Sequence, residues 1–413
     1  MGASPLPELT LDSRLLFGTR TARLFAYGFL SVVLALYLID VGLTEGQIGL
    51  LFTLTLVGDT AISLWITTNA DRIGRRRMLL LGAGLMVFAG LLFAVTRNFA
   101  LLLLAATVGV ISPSGNEVGP FLSIEQAALS QLLPDERRTR AFAWYNLVGS
   151  FSTAFGALCG GVLAQALQGA GLEPPDSYRF VVFGYAAMGL LLVALFARLS
   201  QAVEIPSMTS PRTPPLRLGL HRSRPMVLKL AALFSIDAFA GGFVIQSLVA
   251  YWFHLRFGVP PAVLGSIFFG ANILAGVSAL SAAWLAERIG LIHTMVFTHI
   301  PSNILLVLVP LMPTLPLAVA VLLLRFGISQ MDVPTRQSYT MAVVSPDERS
   351  AAAGITGIAR TMGASLAPVM AGPFLGQALL MNLPFFIAGG LKIVYDLLLF
   401  FSFRALKAPE EKA

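Results

Sequence analysis

Charge is the scarcest property of this sequence. Of 413 residues, 12% are Asp, Glu, Lys or Arg and 56% are hydrophobic. A soluble domain carries about 25% charged residues. With a mean hydropathy of +0.79, too little polar surface remains to face water, which excludes a soluble globular protein and requires one embedded in lipid. Cysteine is nearly absent. The single Cys159 excludes an internal disulfide and argues against a multi-thiolate metal centre. His221, His254, His293 and His299 fall at loops or span ends without metal-ligand spacing, so no metal is expected. There is no Gly-x-x-x-x-Gly-Lys-Ser/Thr stretch, which argues against ATP as the energy source. No catalytic constellation or cofactor motif appears, so neither an enzyme nor a cofactor is expected. The first residues are polar and acidic before Arg14, with no small-residue cleavage site, and Leu6 stands where myristoylation needs Ser or Thr.

What the chain does have is long apolar runs. Crossing a hydrocarbon core of about 30 Å at about 1.5 Å per residue takes about 20 residues. Twelve segments qualify: 22–41, 47–69, 77–96, 100–132, 140–168, 178–198, 227–255, 262–286, 291–312, 316–344, 350–380 and 382–405. Residues 199–225 form a linker rich in Pro, Ser and Arg that separates two sets of six. The expected division is therefore 1–198, linker 199–225, and 226–413. The net charge of +7 would point to nucleic acid in a soluble chain. Here, with the N-terminus inside, 21 of the 28 Lys and Arg residues fall in cytoplasmic segments and 3 in external loops. That bias sets both termini in the cytoplasm of a multi-pass cell-membrane protein and needs no nucleic acid.

The second half repeats the first. Gly42 and Gly49 recur 216 residues later as Gly258 and Gly265, and Asp71-Arg72-Ile73-Gly74 recurs as Glu287-Arg288-Ile289-Gly290. Pro134-Asp135-Glu136-Arg137 recurs 212 residues later as Pro346-Asp347-Glu348-Arg349. Three matches in order, with a drift of four residues, make parallel repeats of six spans each. The expected fold is all-α and membrane-embedded, with twelve helices in two six-helix bundles.

One turn organises the pattern. Thr67 to Met78 joins the second and third spans and carries Asp71, Arg72, Gly74, Arg75, Arg76 and Arg77. It resembles the loop 2–3 signature of the major facilitator superfamily, Gly-x-x-x-Asp-Arg-x-Gly-Arg-Arg/Lys, with Thr67 in place of the leading glycine. The resemblance covers almost the whole chain. It implies a substrate site near the membrane midplane between the bundles. It also implies a cytoplasmic latch at Asp71, Arg72, Gly74, Arg75 and Arg76, echoed by Glu287 and Arg288, with Asp71 meeting the start of span 11 near Ser350. The superfamily often carries an Arg in span 4; here Arg325 in span 10 stands in the corresponding place of the other half. Gly149, Gly156, Gly160 and Gly161 in span 5 are similar to the glycine-rich motif of its drug-exporting antiporters, without the Gly-Pro dipeptide. Small residues at these spacings also let helices pack closely.

An ionisable group in a span costs about 2.5–3.5 kcal/mol on insertion scales, so each calls for a partner or a role. Asp59, Glu117, Glu125 and Asp237 are the candidate proton carriers, each weighed against a plain interhelical hydrogen-bonding role. Glu117 and Glu125 lead, because span 4 around Ser112–Pro120 is too polar for lipid. Asp332 and Arg336 are spaced to pair on one helix face, and Pro334 between them is expected to kink span 10. Lys392 and Asp396 share the spacing and read as a structural pair. Candidates for the cavity lining are Tyr27, Asn116, Phe121, Phe239, Gln246, Asn272, Asp332, Arg336 and Arg360, with Phe29, Phe243, Tyr251 and Trp252 as further aromatic wall residues. Five acids (Asp59, Glu117, Glu125, Asp237, Asp332) against three arginines (Arg325, Arg336, Arg360) favour a cationic or polar neutral cargo. The expected function is proton-coupled export of a small molecule by a monomer using alternating access. Uptake or facilitated passage of a metabolite, or a non-transporting receptor on the same fold, are the alternatives.

Overall fold

The computed structural model describes residues 10–204, 220–345 and 348–403. Most of the 199–225 linker lies outside the described residues, as do Pro346 and Asp347 and the side chains of Asp135, Glu136, Arg137 and Ser350. Among the described residues every regular element is a helix. The first half holds α1 (Leu11–Ser31), α2 (Leu34–Asp40), α3 (Glu45–Ile73), α4 (Arg75–Val95), α5 (Phe99–Val108), α6 (Phe121–Leu132), α7 (Asp135–Gly169) and α8 (Pro174–Ala197). The second holds α9 (Arg224–Gly242), α10 (Gln246–Phe257), α11 (Pro261–Ile289), α12 (Leu291–Leu308), α13 (Leu315–Phe326), α14 (Asp332–Val343), α15 (Arg349–Leu366), α16 (Pro368–Leu375) and α17 (Leu383–Phe403). Joined across their breaks, these helices make the twelve passages expected. Among the described residues, eight stretches are long and apolar enough to cross a membrane unaided, and α1 with α2 adds a ninth, bent by 45°. The other three are the interrupted passages α5/α6, α13/α14 and α15/α16.

The first passage starts eleven residues before the expected 22. Thr10 caps α1, its Oγ1 accepting from the Ser13 N–H at 3.2 Å, and the helix carries Arg20 and Arg23 into the interior, 5% and 0% exposed. These arginines are interior groups, not cytoplasmic topology signals, because carboxylates inside the fold receive them. The fourth passage breaks over residues 109–120, between Gly109 and Pro120. Backbone polar groups freed by such a break must be satisfied internally. Tyr185 donates to the Val110 carbonyl at 2.5 Å, Tyr27 to that of Val118 at 3.1 Å, and Ser112 to that of Asn116 at 2.7 Å. The tenth passage breaks at residues 327–331, so the kink expected at Pro334 is displaced. Pro334 falls in the first turn of α14, where a missing N–H costs no intrahelical bond.

The chain forms two compact units. Unit 1 is Met1–Leu43, Val57–Met208 and Val249–Phe269; unit 2 is Thr44–Leu56, Thr209–Leu248 and Gly270–Ala413. The first part of α3 thus groups with the second half of the chain, and the first part of α11 with the first half. Glycine contacts hold each exchange. In unit 2 a Cβ on Gly372 would lie 2.2 Å from the Glu45 carbonyl oxygen and 3.1 Å from the Gly49 Cα. In unit 1 a Cβ on Gly161 would lie 2.2 Å from the Pro261 carbonyl oxygen and 3.0 Å from the Gly265 Cα. Gly49 and Gly265 are repeat partners, so one backbone-to-backbone crossing is made twice. The turn glycines repeat as well: Gly42 and Gly258 have φ of 101° and 64°, Gly74 and Gly290 of 118° and 87°, a region that favours glycine.

Within unit 1, α1 packs along α7 and α4 along α8. A Cβ on Gly156 would stand 2.0 Å from the Phe25 carbonyl oxygen, and one on Gly160 2.1 Å from that of Phe29. Gly156 and Gly160 of the span 5 run are therefore a packing surface for α1, while Gly161 faces α11. Within unit 2, α9 packs along α15 and α12 along α17, over a core that includes Leu230, Phe234, Met295, Tyr395 and Leu399.

Candidate functional site

Each unit encloses one cluster of charged side chains. In unit 1, Arg20 and Arg23 lie one turn apart on α1 and face the carboxylates of the fourth passage. Arg23 Nε donates to Glu117 Oε1 at 2.8 Å. Its two terminal nitrogens donate to Glu125, Nη1 to Oε1 at 2.8 Å and Nη2 to Oε2 at 2.7 Å. Such a bidentate pair is the strong form of this contact. Arg20 Nη1 donates to Glu117 Oε2. Thr19 Oγ1 adds a bond to Glu125 Oε1 at 2.7 Å, and the Tyr145 hydroxyl donates to Oε2. Aromatic faces seal the guanidinium groups: Arg23 lies 4.7 Å from the Phe121 ring centre and Arg20 4.8 Å from that of Tyr145. Gly149 on α7 makes room, since a Cβ there would stand 2.9 Å from Arg20 Nε. Two arginines and two glutamates leave this cluster neutral.

Asp59 on α3 stands apart from that exchange. It is 8% exposed. Its Oδ1 accepts from the Gly119 N–H at 2.7 Å and from Ser63 Oγ at 3.4 Å. No ion pair to Asp59 occurs among the described residues. It ties α3 to the irregular segment that carries Glu117.

Unit 2 holds a denser network. Asp237 on α9 receives Lys392 Nζ at 2.5 Å and Arg336 Nη1 at 3.1 Å. Arg336 also reaches Asp332 at 3.0 Å, the helix-face pair expected from their spacing. The expected Lys392–Asp396 pair is divided. Lys392 goes to Asp237, while Asp396 accepts from Asn303 Nδ2 at 3.1 Å and pairs with His299 Nδ1 at 2.8 Å. His299 is thus an interior residue on α12, 5% exposed, rather than one at a span end. Arg325 and Arg360 are half-buried and make no ion pair among the described residues, and Arg325 Nε is buried without a hydrogen-bond partner.

The arginine-rich turn is anchored by an acid that the sequence reading did not single out. Glu204 accepts the backbone N–H groups of Arg75 at 2.7 Å and Arg76 at 3.1 Å, capping α4. Arg75 pairs with Asp71 at 2.9 Å and donates to Gln131 at 3.0 Å and to the Val203 carbonyl at 3.2 Å. Arg76 donates to the Ala197 carbonyl at 2.5 Å. Asp71 and Arg72 are exposed. In the second copy Glu287 and Arg288 are exposed, and Arg288 stacks over Trp284 at 4.1 Å. Glu348 matches Glu204 in function: it accepts the N–H groups of Arg222 and Ser223, each at 2.9 Å, and that of His221, just before α9. Burial alone would raise the Glu348 carboxyl. The Ser223 hydroxyl and these three N–H groups outweigh it and hold the carboxyl at about 2.

The remaining candidates divide by exposure. Tyr27 and Phe121 have no exposed surface, and Phe29, Phe243, Tyr251 and Trp252 are buried too, so in this state they pack the interior. Phe239 is half-buried, edge-on to Phe243 at 5.2 Å. Asn272 donates to Gln246 at 3.2 Å, and Asn116 is exposed. Arg20, Arg23, Lys392 and Asp396 join the charges inside the passages, giving six cations against six carboxylates there among the described residues. The acid excess behind a cationic cargo is therefore gone.

The family model of the Major Facilitator Superfamily matches residues 16–368. The membrane protein YJR124C of Saccharomyces cerevisiae is 32% identical over 97% of this chain and 96% of its own length. The quinolone resistance protein NorA of Staphylococcus aureus is 25% identical over 164 residues, 40% of this chain and 38% of its own. A crystal structure of a variant of the nucleoside transporter NupG superposes with a TM-score of 0.75 at 15% identity, covering 95% of this chain and 99% of that one, which shows the fold alone.

Proposed function

Because the chain belongs to the major facilitator superfamily, whose members are membrane transporters rather than enzymes, we propose that it is a proton-coupled exporter of a small molecule, with Asp59 as the group that takes up and releases the proton. The observation that carries this reading is the buried Asp59 carboxylate, to which no cation among the described residues is paired. Protonating Glu117 or Glu125 would strand Arg23, and breaking a buried pair costs about 3–5 kcal/mol. Protonating Asp237 would strand Lys392 and Arg336. Protonating Asp59 strands nothing. It replaces a charge-assisted bond from Gly119 by a weaker one and loosens the segment on which Glu117 sits, which links the proton to the arginine clamp.

Export is favoured by the likeness to the quinolone resistance protein, which spans two fifths of the chain. The Lys and Arg bias supports both termini in the cytoplasm of the cell membrane. The test is proteoliposomes under a pH gradient, with a quinolone as first probe and a pH-sensitive dye inside. Wild type should move probe against proton. Asp59→Asn should abolish that coupling and keep exchange of probe across the membrane at equal pH. Coupled movement surviving in Asp59→Asn overturns the assignment, and probe movement only into the cytoplasm in intact cells overturns export.

A further inference from the structure

We infer that unit 2 holds an oxyanion-binding site built on Arg325 and Arg360, and that the cargo carries a carboxylate, phosphate or sulfonate group. Naming that anion as cargo rests on the transport reading above; the site itself does not.

Charge accounting comes first. Among the described residues, the membrane-spanning passages of unit 2 carry four interior cations, Arg325, Arg336, Arg360 and Lys392, against three carboxylates, Asp237, Asp332 and Asp396. The carboxylates are already engaged by Lys392, Arg336, His299 and Asn303. Arg325 and Arg360 feel the charges of Asp237 and Asp332 but make no ion pair with them among the described residues. Arg325 Nε is buried and unbonded. Both arginine side chains are half-buried and, among the described residues, no acid of the protein takes either charge, which leaves each guanidinium open to an anion from outside.

Placement comes second. Arg325 continues the buried stripe of Ala318 and Leu322 on α13, with Ser329 one turn on. The exposed apolar residues of that helix, Leu317 and Leu324, lie to one side. On α15 the exposed Ile358 and Met362 are two positions from Arg360, about 200° around the helix. Gly357, one turn before Arg360, faces open space. Both arginines therefore point away from the apolar outer faces while keeping part of their surface open. Arg360 lies 11 residues from the start of α15 and Arg325 10 from the start of α13, about 15–17 Å at about 1.5 Å per residue. That depth is near mid-passage, away from lipid headgroups. A planar guanidinium fork free of its own acid fits an oxyanion and repels an ammonium.

The test uses the full-length protein in nanodiscs of phosphatidylcholine, with ionic strength held constant by sodium chloride. Thermal unfolding is followed with benzoate, phenyl phosphate, benzenesulfonate and, as the opposite charge, benzylammonium. At least one anion should raise the midpoint by several degrees and benzylammonium should not. Arg325→Gln and Arg360→Gln should each remove the shift, and the Lys variants should keep part of it. Without anion, the Gln variants should unfold no earlier than wild type, since neither arginine gives up an ion pair, whereas Arg336→Gln should unfold earlier. No anion shift, an equal shift from benzylammonium, or a shift that persists in the double Gln variant overturns the site. An Arg-dependent shift produced only by phosphatidylglycerol in the disc makes a headgroup the ligand and overturns the cargo assignment. Because the readout is binding, the result stands apart from the Asp59 proton flux.

Discussion

Arg23 and Glu125 meet through two parallel hydrogen bonds of 2.8 and 2.7 Å, and neither side chain has any exposed surface. Water cannot take over from a lost partner. Arg23→Gln should therefore cost about 3–5 kcal/mol of stability. The joint replacement Arg23→Met with Glu125→Leu should cost less than either single change, since no orphan charge remains. Unfolding in mixed micelles, run as a double-mutant cycle, checks both statements.

Lys392 distinguishes between two acids in unit 2. A cycle with Asp237 should give a coupling of about 0.5–3 kcal/mol, because the pair is in contact at 2.5 Å. The cycle with Asp396 should give a much smaller one, since Asp396 is held by His299 and Asn303. Thermal midpoints of the two cycles, measured side by side, separate them. Equal couplings would mean that helix spacing, rather than the observed contact, governs the pairing.

The glycine crossings predict a sharp contrast between substitutions of the same size. Gly372→Ala and Gly161→Ala each drive a methyl group to 2.2 Å from a carbonyl oxygen, and overpacking of this kind costs about 1–3 kcal/mol. Gly84→Ala on α4 meets nothing within 4 Å. It should be neutral or stabilising by about 0.5–1 kcal/mol, since Ala is the better helix former. Unfolding midpoints of the three variants give the comparison.

Glu348 gives a pH dependence of definite sign. Its carboxyl sits at about 2 in the fold against an ordinary 4.5. A depressed value means that the unfolded chain takes up the proton first. The contribution is complete above about pH 4.5 and fades as pH falls toward 2. Glu348→Gln should lower the unfolding midpoint at neutral pH and flatten the acid limb of its pH profile. An acid limb as steep as that of wild type would show that the N–H groups ahead of α9 do not depend on this carboxylate.

Much of the architecture was legible in the sequence because apolar length and repeated turns are local signals. The twelve passages, the repeated turn at Gly74 and Gly290, and the Asp332–Arg336 pair all follow from spacing along the chain. The interior charges were harder to read. Thr19-Arg20-Thr21-Ala22-Arg23 looks like a water-facing helix end, because each arginine alone is costly in lipid. Its partners Glu117 and Glu125 lie 94 and 102 residues further on. Lys392 and Asp396 misled for a related reason: spacing names the nearest acid, while the true partner, Asp237, is 155 residues away. Glu204 sat in a stretch without any apolar pattern, and only the geometry of α4 shows why a carboxylate is needed there.

The room that Gly149 leaves for Arg20 ties a featureless position to the electrostatics of the whole unit. Among relatives, position 149 should be inherited jointly with 20, 23, 117 and 125. A chain that gains a larger residue there should also have shed the arginine or its acid. A sequence screen that scores each column separately would dismiss such a glycine as mere spacing and would misjudge a substitution at 149 as harmless.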